Sequence, residues 1–188
     1  MITIIPYQTR WEGEFGAIAG ALRSGIGQLA HRIDHIGSTS VPGLAAKDIV
    51  DVQVSVSALD DDLLNRFSAL GYSRADEISR DDRPLFDDSI EDEWHKWFFR
   101  PPIGQRPTNT HVRVTGRANQ KYPILFRDYL RSHPAAAAEY AELKRYLAGQ
   151  LKDPSIYPIV KGPAVNLIYL AALDWAATSG RQIGSSDA

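Results

Sequence analysis

The sequence predicts an α+β chain that has helices at both ends and a helical C-terminal part. Two observations indicate this class. Before Asn119, short apolar runs with alternating polar residues, such as "DIVDVQVSVS", are interspersed with helical stretches. After Asn119 the strand pattern stops and long helical patterns follow one another. We expect one domain over residues 1–180 and a frayed tail over residues 181–188.

The first half contains two predicted helices and two predicted strands. Apolar residues recur every three or four positions from Trp11 to Leu29, which predicts a helix. "HRIDHI" and "DIVDVQVSVS" follow as strands. The stretch "ALDDDLLNRFSALGY" then predicts a helix that is capped by Asp60 and ends near Gly71.

The second half begins with an acidic stretch, "ISRDDRPLFDDSIEDEW", which predicts an exposed loop. "HKWFFR" and "THVRVT" are then strands, joined by the turn-rich "PPIGQRPTN". Three helices follow: "NQKYPILFRDYLRSH", "PAAAAEYAELKRYLAGQL" with Pro134 at its first position, and a last helix that begins near Pro163.

Composition excludes several classes of function. The net charge of -2 and the pI near 6.2 provide no global basic field, so we expect no binding of duplex nucleic acid. The absence of cysteine excludes disulfides and thiolate metal sites. The N-terminus lacks a signal-peptide pattern, and the apolar stretch from Val165 to Ala177 is too short to span a bilayer. We therefore expect a cytoplasmic protein with no membrane partner; the oligomeric state stays open.

Strand alternation groups four polar residues. Asp51 and Gln53 lie on one face of their strand, and His111 and Arg113 lie opposite the valines of theirs. If the two strands are neighbours, these side chains share a surface. The alternative is a merely solvated sheet face. Asp48 falls on the face opposite Asp51.

A Gly-Ser pair lies directly after the first strand. Gly37 lets the backbone approach an anion, and the Ser38 hydroxyl can donate a hydrogen bond to a phosphate oxygen. Lys47 adds a positive charge. Gly-Ser pairs also mark ordinary turns, so the phosphate interpretation depends on the combination with Asp51 on the next strand.

Three long stretches carry a resemblance to a known family: "HIGSTSVPGLAAKDIVDVQV", "TNTHVRVTGRANQKYPILFRDYLRSHPAAAAEYAELKRYLA" and "YPIVKGPAVNLI". They closely resemble the GrpB family, whose domain also occurs fused to dephospho-CoA kinase. The resemblance covers nearly the whole chain and implies a nucleotidyltransferase-like fold, in which helices flank a mixed sheet. Lys144 and Lys161 resemble positions where the family carries lysines, and with Arg127 they are expected to line a groove for a polyanion.

The expected metal site departs from the usual nucleotidyltransferase pattern. Enzymes with two Mg²⁺ ions present two carboxylates on one strand and a third on a later strand. This chain has Asp51 followed by Gln53, and His111 and Arg113 on the later strand. We therefore expect either a single Mg²⁺ at Asp51 or a metal-free phosphate site.

Two functions stay open. The first is an enzyme that transfers a nucleotidyl group to a small acceptor; the polar cluster favours it. The second is a noncatalytic module that binds a nucleotide or other phosphorylated small molecule, or assists folding; the missing carboxylates favour it. For the enzyme, the expected catalytic residues are Asp51, Lys47, His111 and Arg113, and the expected phosphate-binding or substrate-binding residues are Gly37, Ser38, Thr39, Gln53, Arg127, Lys144 and Lys161.

Overall fold

The structure is a computed structural model that describes residues 2–188. Five helices and five strands, connected in part by short 3-10 turns, make up the described chain. In chain order they are α1 (Arg10–Ile26), β1 (Arg32–Ile36), β2 (Val50–Val56), α2 (Asp61–Ala69), β3 (Ser73–Arg74), β4 (Trp97–Arg100), β5 (Thr108–Val114), α3 (Ala118–Ser132), α4 (Pro134–Gln150) and α5 (Tyr157–Ser179).

All five strands form one mixed sheet in the order β1-β2-β5-β4-β3. β2 and β5 are parallel, and the other neighbouring pairs are antiparallel. The predicted fold class is confirmed: helices flank a mixed sheet, and the C-terminal part is helical.

The apolar face of the sheet carries the main core. The valines of β2 point to this face and are almost fully buried, as their alternation predicts. α1 and α2 cover them with large side chains such as Trp11, Phe15 and Phe67. A second core, which includes Leu44, Phe126 and Tyr140, joins the loop after β1 to α3 and α4. The sheet thus lies between two helical layers.

Two local predictions are confirmed. The Asp60 side chain accepts a hydrogen bond from the Leu63 amide at 3.0 Å, which satisfies a free amide in the first turn of α2. Pro134 occupies the start of α4, where its missing N–H is not needed.

The last helix begins earlier than predicted. α5 starts at Tyr157, and Pro163 lies inside it. A 3-10 turn over Pro154–Ile156 runs directly into α5, and the Asp153 side chain caps that turn by accepting from the Ser155 amide at 2.8 Å. The helix is therefore already begun before Pro163, which removes only one backbone donor.

Residues 181–188 also differ from the expectation of a frayed tail. The Ile33 amide of β1 donates to the Ser186 hydroxyl at 2.8 Å, and the His35 amide donates to Asp187 Oδ2 at 2.9 Å. Arg127 also donates to Asp187, at 2.6 Å. β1 is an edge strand, so its outward backbone groups are free to bind the tail.

α5 and the turn before it, Pro154–Ser179, are long and apolar enough to cross a membrane by length and composition alone, with a mean hydropathy of 1.4. This helix is longer than the apolar stretch on which the sequence argument relied, and one such helix is weak evidence. Leu167 and Ile159 are exposed on it, whereas Tyr157 is buried. Because α5 packs against α3 and α4, it is part of the helical layer. The cytoplasmic location stays a prediction.

Asp48 precedes β2, and its side chain forms hydrogen bonds with α1 on the side of the sheet opposite Asp51. Its carboxylate accepts hydrogen bonds from Arg10 at 2.7 Å, Trp11 at 2.8 Å and Arg106 at 2.6 Å. Mainly because of the bond from Arg10, the pKa of Asp48 is lowered from 3.8 to about 2.

A carboxyl group with a lowered pKa stabilises the fold above its ordinary pKa, and this contribution is lost as the pH falls from 3.8 through about 2. We expect Asp48→Asn to lower the free energy of unfolding by about 1 kcal/mol at pH 7, a figure reduced for the solvent exposure of the side chain. Urea unfolding of both proteins at pH 7 and pH 2.5 measures this. The difference should shrink at pH 2.5; an equal difference at both pH values would contradict the assignment.

Candidate functional site

The polar face of the sheet is built by the parallel register of β2 and β5. In this register Asp51 lies beside Asn109, and Gln53 lies beside His111. Arg113 follows one step further along β5 and lies beside Ser55. The structure therefore places Asp51, Gln53, His111 and Arg113 on one face, as alternation predicts.

Half of this face is closed. Gln53 is fully buried; its amide donates to the Gln120 carbonyl at 2.9 Å and accepts from Arg113 Nη1 at 2.7 Å. Arg113 also forms two hydrogen bonds with Asp81, at 2.8 and 2.9 Å. α3 and the loop that carries Asp81 therefore cover this part of the sheet. The alternative of a merely solvated face is wrong here, and Gln53 does not line the cleft described next.

The other half opens into a cleft of about 260 Å³ between the ends of β1 and β2 and the three C-terminal helices. Tyrosines from α3, α4 and α5 form the wall opposite the sheet. Nine of the eleven predicted site residues line this cleft: Gly37, Ser38, Thr39, Lys47, Asp51, His111, Arg113, Lys144 and Lys161.

Gly37 allows the loop after β1 to lie against Asp51. Its φ is +70°, in the left-handed region, and a Cβ at this position would lie 2.2 Å from Asp51 Oδ2. Any other residue would have to displace either the loop or the carboxylate. The glycine thus fixes the approach of Ser38 to the Asp51 side of the cleft.

Asp51 is the carboxylate of the cleft, and its side chain is 25% exposed. Oδ1 accepts from Asn109 Nδ2 at 2.8 Å and lies 3.9 Å from His111 Nε2. Burial acts to raise the pKa of Asp51, but His111, Asn109 and Lys161 outweigh it, so the pKa is lowered. Asp51 is therefore ionised at neutral pH.

Three lysines converge on the same cleft. Within residues 2–188, none of Lys47, Lys144 and Lys161 forms an ion pair. Lys47 and Lys161 lie 4.9 and 5.8 Å from the centre of the Tyr157 ring. Lys144 is buried; its ammonium group donates to the Ala45 carbonyl.

Burial and mutual repulsion shift the titration of these lysines. The pKa of Lys144 is lowered to about 7 by burial and then by Lys161. Burial also lowers the pKa of Lys47 and of Lys161, and the charge of Lys161 lowers that of Lys47 further. The cleft is thus arranged so that an anion would relieve the repulsion between its cations.

His111 is neutral at physiological pH. Its pKa is lowered to about 4 by burial, and then by the neighbouring charges of Lys96 and Arg113. The ring is 16% exposed and reaches the cleft on the Asp51 side.

Arg127 is the second predicted site residue that does not line the cleft. It is buried behind β1, where Nη1 donates to the His35 carbonyl at 3.0 Å and Nε donates to Asp128 at 2.8 Å. Its helix neighbour Phe126 faces the cleft instead. The ring of His35 bonds Thr39 Oγ1 at 3.0 Å and stacks on Phe15, which gives His35 a structural role.

The residues present do not fit a two-metal centre. Within residues 2–188 no three His, Asp or Glu side chains are grouped so that they could hold a metal ion. Of the described residues, Asp51 alone supplies a carboxylate to the cleft. The charge of Lys161 lowers the pKa of Asp51, and the charge of Asp51 acts to raise the pKa of Lys47, so both lysines lie close to this carboxylate. A Mg²⁺ ion at Asp51 stays a prediction.

Sequence reasoning missed several residues. Asn109 could have been found by extending the alternation of β5 back by one more position. Lys96 was already inside the predicted strand "HKWFFR", where alternation places it on the same face as Phe98. Asp81 carried no such signal, since it lies in an acidic stretch predicted to be an exposed loop. The cleft tyrosines Tyr140 and Tyr157 lie on helices, where their orientation depends on tertiary packing.

Comparisons with known proteins agree on one family. The family profile described as GrpB protein matches residues 1–170. The crystal structure of conserved protein GrpB from Enterococcus faecalis is 29% identical, with a TM-score of 0.73, and the match covers 92% of this chain and 98% of that one. A UPF0157 protein of Halalkalibacterium halodurans is 32% identical over 151 residues, which are 78% of this chain and 69% of that protein.

A dephospho-CoA kinase of Mycolicibacterium paratuberculosis is also similar, with 35% identity over 195 residues. The match covers 95% of this chain but 48% of that protein. The chain therefore spans about half the length of the curated dephospho-CoA kinases that it matches.

The contact between Gly37 and Asp51 can be tested with two glycine variants. Gly43 also has a positive φ, of +80°, but a Cβ there meets no atom within 4 Å. We expect Gly43→Ala to lose about 1–2 kcal/mol of stability from backbone strain alone. Gly37→Ala should lose about 1–3 kcal/mol more, because its methyl group overlaps Asp51. Urea denaturation of both variants measures the difference; equal losses would show that the close contact has no energetic effect.

Proposed function

The chain belongs to the GrpB family, and we propose that it binds the phosphate groups of a nucleotide or another phosphorylated small molecule in the lysine-lined cleft. The observation that carries this proposal is the convergence of three lysines, none of which forms an ion pair with another described residue, on a cleft with a single carboxylate. Burying cations near one another is unfavourable unless an anion joins them. Asp51 balances one of the three charges, so the cleft keeps a local positive charge although the whole chain is slightly negative.

The remaining groups of the cleft suit a phosphorylated organic molecule. The Ser38 hydroxyl lies beside Gly37 and can donate to a phosphate oxygen. The opposite wall carries Tyr122, Tyr140 and Tyr157, which offer aromatic surface to the part of the ligand that bears no charge. Because the dephospho-CoA kinases that match this chain are named for a nucleotide-containing substrate, dephospho-CoA belongs among the ligands to be tested, beside ADP and ATP.

Nucleotidyl transfer to a small acceptor is a second candidate function. Asp51 favours it, because a partly exposed carboxylate in the cleft can accept a hydrogen bond from an acceptor hydroxyl and orient it. The hydroxyl oxygen would bond to the α-phosphorus of a nucleoside triphosphate and pass its proton to Asp51, while the bond from the α-phosphorus to pyrophosphate breaks and the lysines stabilise the charge on the leaving pyrophosphate. The noncatalytic module stays the alternative, because the cleft contains a single carboxylate.

Removing one cleft lysine should weaken anion binding. We expect Lys161→Met to lower the affinity for inorganic triphosphate about tenfold or more, since a hydrogen bond to a charged group contributes about 1.5–3 kcal/mol. Lys152→Met is the matched control, because Lys152 is exposed and lies outside the cleft. Calorimetric titration of both variants decides the matter. Equal affinities would place the anion site elsewhere.

The affinity for an anion should also depend on pH through Lys144. Its pKa is lowered to about 7, so the protonated form that attracts an anion is lost as the pH rises through 7. Sulfate stays a dianion between pH 6 and 8 and is the appropriate probe. We expect sulfate affinity to fall severalfold over this range, and Lys144→Met to bind more weakly with a flatter profile. A wild-type affinity that rises with pH would contradict this assignment.

Asp51→Asn separates transfer from binding. The variant keeps the shape of the side chain and should change stability by about half a kcal/mol or less if Asp51 serves the cleft rather than the fold. Metal-free binding of triphosphate should be retained, because the lysines remain, whereas any nucleotidyl transfer should be lost. Melting temperature, triphosphate affinity and product formation from ATP, each with and without Mg²⁺, are measured on one sample. Unchanged product formation would exclude Asp51 from the reaction.

A further inference from the structure

His111 lies between two buried cations and the cleft. Its Nδ1 is 3.3 Å from Lys96 Nζ and 3.3 Å from Arg113 Nη2. Arginine donates hydrogen bonds but cannot accept them, and the same holds for a lysine ammonium group. Nδ1 must therefore be the acceptor in these contacts, which requires that it carries no proton.

The two donors cannot easily turn away from the ring. Lys96 Nζ also contacts Asp81 Oδ1 at 2.5 Å, and Arg113 is held by its two bonds to Asp81 and by Gln53. Both cations are about 5% exposed or less. The Phe98 ring lies edge-on to the His111 ring, with the ring centres 5.1 Å apart, and restricts its rotation.

We propose that Lys96 and Arg113 are positioning residues that hold His111 in the Nε2–H tautomer, so that the ring presents a hydrogen-bond donor to the cleft. Nε2 lies 3.9 Å from Asp51 Oδ1, which is longer than a hydrogen bond. The Nε2–H group is thus directed toward the cleft without being fully engaged by Asp51. It is placed to donate to a phosphate oxygen.

This assignment changes the expected role of Arg113. The sequence predicted a catalytic cation that touches the substrate, whereas the structure has its guanidinium group bonded to Asp81 and Gln53 and acting through His111. The tautomer itself does not depend on the proposed function. Only the statement that the donor meets a phosphate rests on it.

Long-range ¹H–¹⁵N NMR of the ¹⁵N-labelled protein at pH 7 tests the tautomer directly. His133 provides an internal reference for a ring that is protonated at Nδ1, because its Nδ1 lies 2.8 Å from the Tyr129 carbonyl and must donate to it. We expect His111 to show a protonated Nε2 and an unprotonated Nδ1. Its signals are assigned by comparison with a protein in which His111 is substituted, since those signals are then missing from the spectrum. A protonated Nδ1 on His111 would overturn the inference, whatever the cleft binds.

Two substitutions of Lys96 test its positioning role. Lys96→Met removes one donor to Nδ1 and should allow a detectable Nδ1–H population and weaken ADP binding about threefold to tenfold. Lys96→Arg restores a donor that cannot accept and should return both the tautomer and the affinity toward wild type. His111 signals in Lys96→Met that are identical to those of the wild type would overturn the role of Lys96. The remaining signals of the same spectrum show whether the variant is folded, and the His111 signals are interpreted only if it is.

A shift of the His111 Nε2–H resonance on addition of ADP reports contact with the ligand. If the tautomer is as expected but ADP leaves this resonance unchanged while Lys161→Met weakens ADP binding, the donor does not meet the phosphate and that part of the inference is wrong. If neither ADP nor triphosphate binds, the proposed function fails while the tautomer assignment stands.

Discussion

The parallel pairing of β2 with β5 is the constraint on which the cleft depends. Because side chains alternate along a strand, the register between the two strands decides which polar residues meet. A shift by one residue would place His111 on the apolar face and a valine on the polar one. The hydrophobic face holds the register in place, since the valines of β2 are packed under α1 and α2. The geometry of the polar site is therefore stabilised largely by the core on the other side of the sheet.

Arg113 and Asp81 divide the polar face into two regions, which differ in whether their cations are paired with a carboxylate. On one side, the charge of Arg113 is neutralised by the half-buried carboxylate of Asp81, and Gln53 accepts from another of its N–H groups. Breaking such a pair leaves an unpaired buried charge, which is strongly destabilising. On the other side, Lys144 and Lys161 have no such partner in the described part of the chain. The cation that stabilises the fold and the lysines that we propose bind an anion thus lie on adjacent parts of one surface.

The sequence predicted those features that depend on local pattern. Alternation placed Asp51 and His111 on one face, and the cap at Asp60 marked the start of α2. Features that depend on tertiary packing were not predictable in this way. Nothing in the acidic stretch around Asp81 indicates that this one carboxylate forms an ion pair with Arg113. Arg127 was expected to line a groove for a polyanion together with Lys144 and Lys161, but the turn of α3 directs it behind β1.

The two borders of the sheet are closed by different means. On β1, the outward amides and carbonyls of Ile33 and His35 are all bonded, by Ser186, Asp187, Ala188 and Arg127. At the opposite border, β3 has only two residues. Unpaired strand edges are templates on which other polypeptides add strands and form aggregates, and covered or very short edges prevent this. Within residues 2–188 the sheet that carries the cationic cleft therefore presents no long free strand on either side, so it offers other chains no template on which to add a strand.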